Sequence, residues 1–497
     1  MLMSKRVYLA VDLGADSGRV MAAIFAHGKI ALEEMARFRT GGVLLPDGWH
    51  WDLLRIYADI RTGIASAVAA HGDAVVSVAV DTWGVDYGLL DEGGHLLGLP
   101  WMYRDARTDG MMEVAAETVK AEELYRRTGL QPMFFNTVYQ LLAETRQHPA
   151  VVKAAARLAF IPDLLTYWLS GERTVERTIA STSGLLKAGT AEWDTELAAV
   201  LGIPPAILPA VSEPCSIAGR LRGEDGSPGK IDVVLCGSHD TASAVAGVPA
   251  TGKNPLFLSS GTWSLLGREL DAPLVTAATA TAKFSNEQGL AGTTRFLKNV
   301  AGMWLLQECK RNWEAGGEKL EYESIVAKAA GTATDVFIDP DTPEFSRHCD
   351  MPAVITAWLE KSGQTAPSTR AGLTRVIFES LALKYRFLLR RMKDWMPDFP
   401  DTLHVVGGGS RNALLNQMTA DASGLRVLAG PSEATALGNV VAQMIARGDL
   451  ASLAEGRALI RDSFEIGEFA PRDTATWDAK AEKFVRLLSN NPSVYSS

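Results

Sequence analysis

Two segments, one in each half of the 497-residue chain, repeat a single layout: an apolar strand, a turn of small residues, and a second apolar strand. The first is Tyr8-Leu-Ala-Val-Asp-Leu-Gly-Ala-Asp-Ser-Gly-Arg-Val-Met-Ala-Ala-Ile-Phe25, and the second is Leu256-Phe-Leu-Ser-Ser-Gly-Thr-Trp-Ser-Leu-Leu-Gly267. Each reads as a β-hairpin whose tip exposes backbone N–H groups and hydroxyls. Two such tips, one per domain, are able to grip opposite sides of a polyphosphate. Either segment alone is equally well read as an ordinary hairpin, so it is the pair that constrains the fold.

With 47% hydrophobic residues the chain is longer than one core needs, and two domains are expected, about 1–245 and 246–497. Strand-like runs at 7–11, 75–80, 157–161, 233–235, 256–258 and 403–406 alternate with helical periodicity at 52–70, 373–392 and 412–422. That rhythm predicts an α/β fold. The net charge of -9 comes without acidic blocks, which argues against nucleic acid or an anionic membrane as partner. Residues 1–25 carry Asp12, Asp16 and Arg19 within their apolar run, unlike a signal peptide or a membrane span, so a cytoplasmic protein is expected. Cys215, Cys236, Cys309 and Cys349 lack metal-ligand spacing and are expected to be reduced thiols.

Duplicated domains with phosphate-binding hairpins resemble the actin, hexokinase and heat-shock ATPase superfamily, and within it the FGGY carbohydrate kinases. The strings that carry the resemblance run along nearly the whole chain. They are Val11-Asp-Leu-Gly-Ala-Asp-Ser-Gly-Arg-Val-Met21, Asp81-Thr-Trp-Gly-Val-Asp-Tyr87, Tyr103-Arg-Asp-Ala-Arg-Thr108, Phe135-Asn-Thr-Val-Tyr-Gln-Leu141, Ser238-His-Asp-Thr-Ala-Ser-Ala244, Ser259-Ser-Gly-Thr-Trp-Ser264 and Leu297-Lys-Asn299 with Trp304-Leu-Leu-Gln307. The resemblance implies two actin-like (ribonuclease H-like) α/β domains with a catalytic cleft between them. It also implies ATP and Mg²⁺ as cofactors and transfer of a phosphoryl group to the C1 hydroxyl of a deoxyketose, L-rhamnulose or a related sugar. A monomer or weak homodimer is expected. The rival of another class is an actin-like ATP-binding module that senses sugar without transfer.

Phosphoryl transfer requires positioning, charge neutralisation and an acceptor for the hydroxyl proton. Asp240 follows the strand 233–235 and the Gly237-Ser-His turn and precedes 241–246, which reads as a helix. A carboxylate at a helix N-terminus is kept ionised by free N–H groups and the dipole. A plain N-cap explains Asp240 equally well, and the resemblance assigns it as the base. Three consecutive residues cannot form a Ser-His-Asp triad, so Ser238-His239-Asp240 is not read as a hydrolase site.

Asp12 closes the first strand before the Gly14 turn; a backbone-bonded turn residue is one reading, and a Mg²⁺ site is the role implied by the resemblance. Ala15, Asp16, Ser17, Gly18 and Arg19 would form the first phosphate turn, and Ser260, Gly261 and Thr262 the second. A carboxylate facing phosphate would repel it, so Asp16 is expected to point outward or to act through Mg²⁺. Gly408 and Gly409, before Asn412 and a helix, suggest close approach to adenosine, although glycines at a strand–helix junction also serve packing. Gln307 resembles a nucleotide contact. Trp83, Gly84, His239, Thr241 and Asn299 are expected against the sugar, with core packing as the alternative for Trp83; Arg104, Asn136 and Thr137 are weaker candidates. Gly247-Val-Pro-Ala-Thr-Gly-Lys253 has Walker A spacing but lacks the following Ser or Thr and precedes a strand, so it is read as a domain connection. The stretch 339–351 has no role legible in the sequence.

Overall fold

Along residues 6–13, Val7, Leu9 and Val11 face one way and Tyr8 and Ala10 the other, and all five are fully buried. A strand apolar on both faces needs a layer on each side. The computed structural model, which describes residues 5–223 and 225–490, supplies both. Strands β1 (Arg6–Leu13), β2 (Gly18–Ala26), β3 (Lys29–Phe38), β4 (Val75–Thr82), β5 (Ser216–Arg222) and β6 (Pro228–Leu235) form one sheet in the order β3-β2-β1-β4-β6-β5. The central pairs β1/β4 and β4/β6 are parallel. Helix α1 (Leu53–His71), capped by Asp52, packs Ile56, Ile60 and Ile64 against Val7, Leu9 and Val11. The helix Ala434–Ala446 covers the opposite face, with Leu437, Val440 and Val441 against Tyr8 and Ala10.

Division by compactness does not follow a single cut. One unit comprises Met1–Asn254, Glu269–Leu297 and Ala434–Phe464; the other comprises Pro255–Arg268, Lys298–Glu433 and Glu465–Ser497. The strand expected at 157–161 is Arg157–Phe160, paired with Tyr87–Leu90 in a separate two-stranded ribbon, and a helix starts at Ile161 with a proline in its first turn.

In the first unit, helix α2 (Asp240–Ala246) crosses the helix Ala434–Ala446 at van der Waals closeness. A Cβ at Gly438 would lie 1.8 Å from the carbonyl oxygen of Ser243, and one at Gly247 2.1 Å from that of Ala434. Backbone atoms cannot rotate away as a flexible side chain would. Gly438→Ala is therefore expected to destabilise the fold by about 1–3 kcal/mol, the cost of an overpacked crossing. A thermal or denaturant midpoint equal to that of the parent would show that the helices do not approach this closely.

In the second unit, β7 (Leu256–Ser260), β8 (Trp263–Leu270), β9 (Thr402–Val406), β10 (Arg426–Ala429) and β11 (Gly467–Phe469) lie in the order β8-β7-β9-β10-β11. The pairs β7/β9 and β9/β10 are parallel. Helices α3 (Trp304–Glu314), α4 (Arg370–Trp395) and α5 (Ala413–Ser423) belong to this unit. Both expected hairpins are present: β1/β2 closes with Leu13 opposite Gly18, and β7/β8 with Ser260 opposite Ser264. The Gly247–Lys253 segment has no regular structure, and no helix follows it. Among the described residues no helix is long and apolar enough to cross a membrane.

Candidate active site

In the first unit the chemistry-bearing residues collect at the carboxyl ends of the parallel strands, where open α/β sheets bind ligands. Asp12 in β1 and Asp81 in β4 are register partners on adjacent strands. Arg19, opposite Asp12 across the first hairpin, places Nη2 2.5 Å from Asp12 Oδ2. Asp81 is fully buried; Asn439 Nδ2 donates to its Oδ2 at 2.6 Å, and its Oδ1 has no hydrogen-bond partner. Burial, reinforced by repulsion from Asp12, holds the Asp81 carboxyl well above the ordinary carboxylate range, against the pull of Asn439.

Beyond β6 the chain continues alongside β4, with the Thr82 N–H donating to Ser238 O at 2.9 Å. Glu176, fully buried, fixes this turn: its Oε2 accepts from Ser238 N–H at 3.1 Å and from the Thr178 hydroxyl at 2.6 Å. Thr178 Oγ1 in turn accepts from His239 N–H at 3.3 Å. Asp240 is the first residue of α2, and His239 occupies the cap position. The Asp240 side chain therefore does not close the helix in the usual N-cap manner. Its Oδ1 accepts from the neighbouring Thr241 N–H at 2.6 Å and from the Thr241 hydroxyl at 3.2 Å. About a third of the Asp240 side chain remains exposed, 32%. Its surroundings withdraw it from water and push its carboxyl up from the ordinary value, opposed by His239, Thr241 and Arg295.

His239 sits between this carboxylate and a buried ion pair. Its Nε2 is 3.4 Å from Asp240 Oδ1, and its Nδ1 is 3.2 Å from both Glu287 Oε2 and Arg295 Nη2. Arg295 Nη1 is 3.1 Å from Glu287 Oε2, and the side chains are 0% and 8% exposed. Burial alone would raise Glu287, but Arg295 and His239 outweigh it and hold the carboxyl below its ordinary value.

Trp83 is 6% exposed, stacked on Trp51 with ring centroids 3.9 Å apart. Both indole N–H groups donate to Asp86 Oδ2, at 3.0 and 2.6 Å, and burial pushes Asp86 up to about 6 despite these bonds. Most of the Trp83 ring is thus committed to the core. Gly84 packs on Thr182, where a Cβ would meet the side chain at 3.2 Å. The next residue, Val85, adopts φ 69°, a costly conformation for a β-branched side chain. Its N–H donates to Thr182 Oγ1 at 3.0 Å and its carbonyl accepts from the Thr137 hydroxyl at 2.6 Å. Asn136 and Thr137 are buried supports of this loop, and Arg104 is exposed beside the Tyr103 ring.

In the first turn, Gly14 N–H donates to Ser17 O at 2.9 Å, Asp16 and Ser17 are exposed, and Ala15 packs partly on the core. Gly18 lets the hairpin pack closely: a Cβ there would lie 2.5 Å from the Phe38 ring and 2.7 Å from a Leu13 methyl. In the second unit, Gly261 N–H donates to Trp263 O at 2.9 Å. Gly407, at φ +81°, and Gly409 both abut Ser260; a Cβ at Gly409 would lie 2.0 Å from Ser260 Oγ, whereas Gly408 is exposed and meets nothing within 4 Å. The glycine run thus has a packing duty at Gly407 and Gly409 and an open backbone at Gly408. Gln307 is half-buried in the first turn of α3, and Asn299 Oδ1 is buried with no hydrogen-bond partner among the described residues.

Asp81, Glu176, Glu287 and Arg295 were not assigned roles from sequence. Glu287 lies in the strand Ser285–Gln288, which is entirely polar and entirely buried, and a polar strand gives no hydrophobic alternation to read. The register partner of Glu287 on the neighbouring strand is Arg295, a pairing that only the folded chain reveals.

A carboxylate at a helix start, glycine-rich hairpin turns and strand-end aspartates match a phosphotransferase, and the comparisons give its class. Residues 7–247 match the N-terminal domain, and residues 256–447 the C-terminal domain, of the FGGY family of carbohydrate kinases; the chain belongs to this family and is a sugar kinase. Sugar kinases of the family use ATP. Among individual proteins, it is 41% identical over 478 residues to the rhamnulokinase of Bacteroides thetaiotaomicron, covering 96% of this chain and 98% of that one. It is 39% identical over 465 residues to the rhamnulokinase of Oceanobacillus iheyensis, covering 93% and 98%. Its fold matches ligand-bound xylulose kinase from Lactobacillus acidophilus with a TM-score of 0.80 over 99% of both chains, at 17% identity.

Proposed function

We propose that this chain transfers the γ-phosphoryl group of ATP to the C1 hydroxyl of L-rhamnulose, giving L-rhamnulose 1-phosphate. The observation that carries the reading is Asp240: a carboxylate at the start of α2, partly open to solvent, raised in pKa, and backed by the buried His239–Glu287–Arg295 group. Such a carboxylate accepts the hydroxyl proton as the oxygen attacks phosphorus. The near-complete coverage of rhamnulokinases supports the acceptor identity.

Asp240 takes the proton, and His239, Thr241 and Asn299 orient the sugar, with Trp83 and Gly84 forming the wall behind it. The turn Ala15, Asp16, Ser17, Gly18 and Arg19 and the turn at Gly261 and Thr262 bind the ATP phosphates through backbone N–H groups and hydroxyls. Gln307, Gly408 and Gly409 bind the nucleoside. Asp12, at the end of β1 beside the first turn, would hold Mg²⁺ through the oxygen ligands this hard cation prefers. Asp12 is ion-paired with Arg19, and Mg²⁺ held there would neutralise phosphate charge. Residues 1–245 would carry the first turn and all of the sugar contacts except Asn299, and residues 246–497 the nucleotide site.

A coupled ADP-release assay across L-rhamnulose, L-fuculose, L-ribulose and D-xylulose is expected to give the highest kcat/KM for L-rhamnulose. A site built to satisfy particular hydroxyls discriminates strongly against a sugar that leaves its buried polar groups unpaired. A clear preference for L-fuculose would make the chain a kinase of that ketose, and no ADP release with any of the four would favour a sugar-sensing module.

A further inference from the structure

We infer that Lys384, Asp341 and Tyr385 are positioning residues for nucleotide binding, because together they hold both legs of the Gly261–Thr262 turn. The inference rests on the reading of that turn as a phosphate site.

Lys384 and Tyr385 are consecutive on α4 and both are fully buried. Lys384 Nζ lies 2.8 Å from Asp339 Oδ1 and 2.8 Å from Asp341 Oδ2. Asp341 Oδ1 accepts from the Ala301 N–H at 3.1 Å, at the end of the strand Thr294–Ala301. The chain beyond that strand end supports the turn directly: Met303 N–H donates to Gly261 O and Trp304 N–H to Thr262 O, each at 3.0 Å. Gly302 is pressed against the same turn, where a Cβ would lie 2.7 Å from the Trp263 carbonyl carbon. Tyr385 reaches the other leg, with its hydroxyl 2.7 Å from Ser264 Oγ at the start of β8. One pair of neighbouring side chains thus sets the turn from both sides.

A buried ammonium with two carboxylates is a poor device for stability, since apolar residues of the same volume often serve as well or better. Charged groups with fixed directions do specify geometry. The placement here, under a turn whose backbone donors must be aimed at phosphate, gives them that task. It also gives a role to the stretch 339–351, which supplies Asp339 and Asp341 and whose Phe345 carbonyl accepts from Trp304 Nε1 at 3.0 Å.

The test measures KM for ATP, KM for the sugar, kcat and the thermal midpoint in Tyr385→Phe, Ser264→Ala, their double variant and Asp341→Asn. Tyr385→Phe removes one oxygen and leaves the volume intact, so it serves if Asp341→Asn fails to fold. The expected result is an ATP KM raised about tenfold in each single variant, the scale of one buried hydrogen bond lost, with the sugar KM within about twofold. The double variant is expected to be no worse than either single one, because both remove the same contact. An unchanged ATP KM, whatever the midpoint, would reduce these residues to structural support, as would equal rises in both KM values. Gly261→Val separates the two readings. A Cβ there meets nothing closer than 3.6 Å, and the thermal midpoint of the variant, with Gly261→Ala beside it, checks that the fold is kept while the added bulk blocks the turn. Normal ATP binding by Gly261→Val would end the phosphate reading and the inference with it; loss of binding there with a normal Tyr385→Phe would end the inference alone.

Discussion

Asp240→Asn is expected to lower kcat by about 10²–10⁴-fold, the range lost when a positioned proton acceptor is removed, while ATP affinity and the thermal midpoint stay near those of the parent. The amide keeps an oxygen for the Thr241 N–H, so the local hydrogen bonding of α2 survives. Only proton acceptance is lost. The expectation follows from the proposed role of Asp240 and does not depend on which ketose is bound, since the group acts on the attacking oxygen. Its pH signature is also fixed in sign. The Asp240 carboxyl is raised above its ordinary value, so the parent's rate should fall with decreasing pH at a point above the normal carboxylate titration, as the base becomes protonated. The Asn variant should show no such limb. Turnover within a few-fold of the parent, or an identical acid limb in the variant, would remove Asp240 as the base.

Much of the architecture was legible because local patterns were strong. The run 7–11 lies within β1, 75–80 within β4, and 403–406 within β9, and the helical period expected over 52–70 is α1, Leu53–His71, with Asp52 as its cap. The two hairpins were legible because glycine and hydroxyl residues interrupt apolar alternation in both halves of the chain. The make-up of the units was not, because it depends on closure across hundreds of positions. The helix Ala434–Ala446 is read from sequence as part of the C-terminal half, yet it covers the first unit's sheet and supplies Asn439 to Asp81. No local period carries that information. Trp83 shows a different limit: sequence shows an aromatic ring at a strand end, but not that Trp51, from another strand, lies stacked on it. Val85 shows a third, for nothing in a valine announces a positive φ imposed by Thr182 and Thr137.

Arg295→Met is expected to destabilise the protein by about 3–5 kcal/mol at neutral pH, the usual cost of stripping one partner from a buried ion pair. Arg295 is fully enclosed and Glu287 nearly so, which removes the solvent screening that makes surface pairs weak. The loss comes from stranding Glu287, and its pH dependence tests that cause. In the parent, Glu287 is held below its ordinary value, so its stabilising contribution is fully present above the unfolded carboxylate titration and is lost as pH falls through the lower folded one. In the variant the buried carboxyl has lost its main counter-charge and titrates above the unfolded value. It takes up a proton on acidification, and the gap between parent and variant should narrow as pH falls through the carboxylate range. Glu287→Gln in the Arg295→Met background should recover part of the lost stability, because an amide can stay neutral in the same space. A gap that is constant with pH, or a double variant less stable than Arg295→Met alone, would show that Arg295 acts through its packing and not through its charge.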